Sequence, residues 1–235
     1  VFTLIAIPFF ILAGNIMNRG GIAIRLMNFA RLLVGKAPGS FAHTNTMANM
    51  MFGAISGSGV AAASAMGTII GPIAEKEGYS KNYMATVNIA SAPTGLLIPP
   101  SNVLITYSLV SGGTSVAALF LAGYIPGMLW GLGCMIVGCI AAKRLGYKGD
   151  SQKITLPLAM KITVDALPSL LLIVVVIGGI VNGAFTATEG AVVAVVYSLI
   201  LSFLYRSITF ADLKKIYAES AIMTGIIVLL IGVSS

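Results

Sequence analysis

The four residues Ser56-Gly57-Ser58-Gly59 constrain this chain more than any other stretch. They lie at the centre of residues 43–72, with about a dozen helix-forming, mostly apolar residues on each side. A membrane-spanning helix needs ~20 residues, so neither side is long enough to cross. Small residues at the centre unwind the backbone at membrane depth. Unwound backbone persists there only when it is buried in protein or lines a polar cavity, because lipid offers it no hydrogen-bond partner. Residues 43–72 are therefore expected to form a re-entrant helical hairpin that enters and leaves by one side and carries ligand chemistry at its tip. A second interrupted stretch, Ser91-Ala-Pro-Thr-Gly-Leu-Leu-Ile-Pro-Pro-Ser101, is expected to meet that tip. Pro93, Gly95, Pro99 and Pro100 break the span 83–110, since each proline removes an amide donor and clashes with the preceding turn.

Composition fixes the solvent. Hydrophobic residues make up 57% of the chain and charged residues 9%, against about 25% charged in a soluble domain. The fold class is an all-α polytopic membrane protein. The net charge of +7 does not form a nucleic-acid surface, because the basic residues are scattered between apolar runs. They read instead as loop charges that set orientation. Cys134 and Cys139 share one apolar run and read as packing residues. His43 is the single histidine, which argues against a His-based metal site.

The chain opens on Val1 inside an apolar run and stops inside another, so it is expected to be a piece of a larger protein, with no signal peptide. Residues 1–18 are expected to span. Residues 19–36 carry Arg19, Arg25, Arg31 and Lys36 among apolar residues, as expected of a helix lying in the membrane interface. A loop helix packed on the protein is the other reading. Gly71-Pro72 is expected to close the hairpin. Further spans are placed at 115–142, 168–184, 189–205 and 217–235, with basic loops at 143–161 and 206–215. Thr188 is read as the N-cap of the span that begins at 189, with Glu189 in its first turn. With both basic loops inside, a re-entrant 43–72 also puts the basic segment 19–36 inside, whereas a single crossing would put it outside.

At the two breaks, half-helices present C-terminal carbonyls with partial negative charge and N-terminal amides with partial positive charge. Broken transporter helices use the former for Na⁺ and the latter for anionic substrate. The Na⁺ candidates are Ser56 and Ser58 at the tip, with Gly95, Ile98 and Pro100 in the break. The half-helix 83–94 is expected to end near Gly95. The substrate candidates are Asn49, Ser58, Thr94, Ser101 and Asn102; Thr46 and Asn88 add further neutral polar groups. No carboxylate lies near either break, which suits a monovalent ion better than Ca²⁺ or a proton relay. Close helix packing by small residues is the competing explanation for the glycines.

The run Gly53-Ala-Ile-Ser-Gly-Ser-Gly59, with Thr94-Gly-Leu-Leu-Ile-Pro-Pro-Ser101, resembles the large (DctM-like) membrane subunit of tripartite ATP-independent periplasmic (TRAP) transporters. Pro8-Phe-Phe-Ile-Leu-Ala-Gly14 and Phe185-Thr-Ala-Thr-Glu-Gly190 do so too. The resemblance implies an inverted-repeat, elevator-type, Na⁺-coupled secondary transporter in the bacterial inner membrane, and not an enzyme. It implies a small Q-type membrane subunit and a periplasmic binding protein that delivers carboxylates such as C4-dicarboxylates or sialic acids. Residues 1–42 would then be a scaffold helix and an interfacial arm. Residues 43–110 would be half of the transport domain, and 111–235 helices leading to a second repeat that is absent from this chain. No arginine reads as an obvious carboxylate clamp. Two other classes remain: an intramembrane serine hydrolase using Ser56 or Ser58 with His43 as base, and a channel with a re-entrant filter loop.

Overall fold

The computed structural model describes residues 2–149 and 155–234. Asp150 and Lys153, assigned above to a basic loop, lie outside the described residues. A 3₁₀ turn, Phe2–Ile5, leads into eleven α-helices: α1 (Ala6–Arg19), α2 (Ile22–Val34), α3 (Ser40–Ser56), α4 (Gly59–Lys76), α5 (Lys81–Ser91), α6 (Thr94–Leu97), α7 (Asn102–Val110), α8 (Val116–Arg144), α9 (Leu156–Val181), α10 (Ala187–Leu204) and α11 (Phe210–Ser234). No strand occurs among the described residues. By length and composition α8, α9, α10 and α11 can each cross a membrane. α1 and α2 pass that test only as a pair, and they are bent 72° apart. The protein is an all-helical polytopic membrane protein.

The hairpin arms are longer than the sequence suggested. α3 has 17 residues and α4 has 18, so the pair runs from Ser40 to Lys76. Pro72 does not close it but sits inside α4 on an exposed face, where one lost backbone bond near the helix end is tolerated. Neither arm is among the helices apolar and long enough to cross. The broken span differs in detail too. α5 stops at Ser91, and a single turn, α6, precedes the extended segment at Ile98. Pro93 starts that turn with φ −58°, the angle a proline imposes and a helix start accepts. Gly95 is therefore helical and not the frayed end of a half-helix.

The later boundaries also moved. α9 begins at Leu156 with a proline in its first two positions and carries Lys161, which the sequence placed in the loop 143–161. Pro168 lies within it. α11 starts at Phe210, so Asp212, Lys214 and Lys215 are helical. The cap of α10 is Thr186, not Thr188. Its side chain accepts from Glu189 N–H at 3.2 Å while the Glu189 carboxylate accepts from Thr186 N–H at 2.8 Å, a reciprocal capping box.

Two groups of helices result. α1 packs along α10 and α11, and α9 along α10. α3 gathers α4, α5, α6 and α8 around itself, and α2 bridges between α3 and α9. Lipid is as apolar as leucine, so close backbone approach holds membrane helices more than apolar burial does. Glycines provide that approach here. A Cβ on Gly123, Gly127 or Gly131 of α8 would collide with Leu97 O, Ile98 Cγ1 or Met50 Sδ respectively. α8 is thereby sealed to the hairpin group.

The basic residues of 19–36 engage the protein. Arg19 pairs with Glu219 at 2.7 Å. The Arg25 guanidinium lies 3.5 Å from the centre of the Tyr205 ring, and that of Arg31 lies 5.0 Å from Phe41. Ile22, Ala23, Leu26, Met27 and Ala30 bury the opposite side of α2.

At the mouth of the hairpin, aromatic residues close the two arms together. Tyr79 stacks on Tyr147 with ring centres 4.3 Å apart and meets Phe41 edge-on at 5.3 Å. The Tyr79 hydroxyl donates to Lys148 O, the Tyr147 hydroxyl accepts from Ser80 N–H, and the Tyr83 hydroxyl donates to Gly138 O.

Candidate functional site

The tip of the hairpin is a two-residue turn. Gly57 takes φ +62°, a conformation that side chains resist, and Ser58 is extended. The Ser58 hydroxyl caps α4 by accepting from Ala61 N–H at 3.3 Å. The Ser56 hydroxyl points at Ser58 O, 3.5 Å away. Ser56 is fully buried, and Gly14 of α1 lies so close that a Cβ there would sit 2.9 Å from Ser56 Cβ.

The tip meets the break. Asn102 N–H donates to Gly57 O at 3.1 Å. A Cβ on Gly57 would lie 2.9 Å from Pro100 O. One turn back, α3 crosses α6 glycine on glycine: a Cβ on Gly53 would lie 2.2 Å from the Gly95 Cα. The structure thus brings Ser56, Ser58, Gly95, Pro100, Ser101 and Asn102 together, all from two segments separated by some forty residues. Ile98 is buried beside them, and its side chain packs against Gly127 of α8.

Most hydroxyls in this region are already committed. Ser101 caps α7, accepting from Leu104 N–H and donating to Leu96 O. Thr94 is fully buried and donates to Ser91 O at 2.7 Å. Asn102 differs: its residue is 6% exposed, and neither its amide oxygen nor its amide nitrogen has a partner. A buried polar group left unpaired costs about 1–3 kcal/mol, so native proteins seldom keep one without reason. An amide offers both an acceptor for a cation and donors for a carboxylate.

Asn49 is not at the tip. Its amide nitrogen donates to Ser91 Oγ at 2.8 Å and to Asn88 Oδ1 at 3.1 Å. Asn45 donates to the same two groups, and Asn88 in turn donates to Ala63 O at 2.8 Å. Asn45, Asn49, Asn88 and Ser91 form one buried cluster that ties α3, α4 and α5 together. Sequence reasoning missed Asn45 and Ser91 as members. It also missed Gly14 and Gly53 as tight contacts of the site, although both glycines stand in runs it had singled out.

The hydrolase reading requires a base beside the serines. His43 sits near the start of α3, and its ring bonds Pro38 O at 3.0 Å. Thirteen residues of helix separate it from Ser56, about 20 Å along the axis. The geometry gives a nucleophile no base there.

A family model described as the tripartite ATP-independent periplasmic transporter DctM component matches residues 1–235. The chain is 56% identical over 233 residues to the Salmonella typhimurium protein YgiK, a match covering 99% of this chain and 53% of that one. It is 39% identical over 236 residues to the sialic acid TRAP transporter large permease SiaM of Vibrio cholerae, covering 98% and 54%. It is also 39% identical over 232 residues to the C4-dicarboxylate TRAP transporter large permease DctM of Pseudomonas aeruginosa, again covering 98% and 54%. The chain spans about half the length of these curated relatives. On the whole-length family match, with a hairpin tip set against a proline-broken helix, this chain belongs to the DctM component family of tripartite ATP-independent periplasmic transporters.

Proposed function

We propose that this chain forms one half of the ion and substrate site of a Na⁺-coupled carrier for organic acids in the bacterial inner membrane. The observation that carries the proposal is the buried, unpartnered Asn102 amide held against the hairpin tip. Carbonyls of Pro100 and Ser58, the Ser56 hydroxyl and Asn102 Oδ1 are oxygen ligands of the kind that a hard monovalent cation takes. No Asp or Glu occurs in residues 1–74 or 82–149, so the two segments that meet at the tip would hold the ion through neutral groups alone. An emptied neutral site leaves no buried charge behind, which suits a carrier that must return unloaded. The substrate would lie beside the ion, each raising the affinity of the other.

The relatives' names supply the substrate class, sialic acid or C4-dicarboxylate. Family membership suggests a small membrane subunit, a periplasmic binding protein and elevator movement of an inverted-repeat transport domain. A channel would show neither stoichiometric coupling nor saturation. The test is the Na⁺ dependence of acid uptake by the complete system in proteoliposomes. Ser56→Ala and Ser58→Ala should each raise the Na⁺ concentration for half-maximal uptake. Wild-type curves in both variants would place the ion elsewhere.

A further inference from the structure

A cavity of about 460 Å³ opens between α1, the first turns of α4 and α11. Asn15, Asn18, Arg19, Ala61, Ser64 and Glu219 line it. Its wall on the hairpin side starts one turn beyond the tip, so the cavity adjoins the proposed ion site. Two positive features face it. One is the Arg19 guanidinium. The other is the N-terminal end of α4, where the helix dipole favours an anion. The single acid among the lining residues is Glu219, whose carboxylate sits 2.7 Å from Arg19 Nη2.

That ion pair is accessible: the Arg19 side chain is 34% exposed and that of Glu219 43%. A second bond between the same helices, Asn15 Nδ2 to Ser220 Oγ at 2.8 Å, holds α11 against α1 independently. The α1–α11 contact therefore does not depend on the Arg19–Glu219 pair alone, and the guanidinium is a fork shaped for a carboxylate. The two partners are 200 residues apart, which is why the sequence showed no clamp.

We infer that Arg19 holds the carboxylate of the transported acid, and that Glu219 is a built-in competitor that occupies the guanidinium between substrates. The inference rests on the functional reading above and adds the recognising group. In this arrangement the acid lies between the hairpin and the helix α1, with its charge on Arg19 and its body toward the tip. Departure of the acid returns Glu219 to Arg19, so neither the loaded nor the empty cavity leaves the cation unpaired.

The test is equilibrium binding of labelled succinate and labelled sialic acid to the complete purified permease in Na⁺, without the binding protein. Arg19→Gln should weaken binding about tenfold or more, the scale of one charge-assisted hydrogen bond. Glu219→Gln should tighten it several-fold, by removing the competitor. The double variant should bind as weakly as Arg19→Gln. Arg19→Lys keeps the charge without the fork and should be intermediate, which covers the case where Arg19→Gln does not fold. Wild-type affinity in either Arg19 variant overturns the inference. So does weaker binding in Glu219→Gln that the double variant restores, because that is the signature of a pair serving structure alone. If the unmodified permease binds neither acid, the functional reading fails and the inference falls with it. If it binds one and the variants behave otherwise than stated, only the inference falls.

Discussion

Two buried polar clusters sit on α3 about 10 Å apart along its axis, and they are built on opposite principles. In the Asn45–Asn49–Asn88–Ser91 cluster each amide nitrogen donates to another member or to the backbone. At the tip, hydroxyls spend themselves on nearby backbone, and Asn102 is left with no partner at either end of its amide. In the first cluster every amide nitrogen is paired and three helices are tied, with Asn49 Oδ1 alone left without a partner. The second is open. Residue types alone would not separate them, since both consist of Asn and Ser. What separates them is that the first cluster pairs every amide nitrogen within the protein, whereas Asn102 pairs neither end of its amide.

The largest effect should come from what both clusters share, the glycine crossing that registers α3 on α6. Gly95→Val or Gly53→Leu places carbon where the facing backbone already stands. Membrane abundance and the cooperative melt of the purified permease should be lost in both. A folded, transporting Gly95→Val protein would show that the crossing is loose. Next is the closed cluster. Asn88→Ala removes the acceptor shared by Asn45 and Asn49, which then depend on Ser91 Oγ, and the donor to Ala63 O, at about 1 kcal/mol for each hydrogen bond lost. Thermal melting should fall by many degrees, while the Na⁺ concentration for half-maximal uptake in surviving protein stays at its wild-type value. The smallest stability effect belongs to the open cluster. Asn102→Ala removes groups that are unpaired already, so melting should shift by under about 1 kcal/mol in either direction. Its Na⁺ dependence should shift markedly. If Asn102→Ala melts as low as Asn88→Ala with an unchanged Na⁺ curve, the distinction between the two clusters is wrong.

The hairpin, the broken span and their meeting were legible because glycine and proline restrict the backbone wherever they stand. The tip needs Gly57 in a left-handed conformation, and Pro99 and Pro100 keep α6 from continuing into α7; both facts follow from local chemistry. Boundaries were less legible. Pro72 was read as the end of the hairpin and Pro168 as the start of a span, but both lie within helices, since one missing donor can be absorbed where the chain around it is otherwise helical. The Thr186 cap was readable from the Thr-x-x-Glu spacing and was misplaced by two residues. Partners across the fold were not readable at all. Asn49 and Asn102 look alike in sequence, and only the arrangement of α5 and the tip makes one a structural tie and leaves the other without a partner. Arg19 likewise gains its meaning from Glu219, which is distant in the chain.

The aromatic closure at the hairpin mouth has a mechanical consequence. Tyr79, Tyr147, Tyr83 and Phe41 fasten both arms to the end of α8, whereas the tip touches its surroundings through backbone contacts of Gly57 and Ser56. The hairpin is thus a beam clamped at its mouth, with the Gly53–Gly95 crossing as a second support one turn short of the tip. An arm of 17 residues is about 25 Å long. A tilt of about 2° at the clamp would carry the tip about 1 Å, more than the ~0.5 Å that a binding constellation tolerates. The position of the tip is therefore set jointly by the glycine crossing beside it and by tyrosines that never approach it.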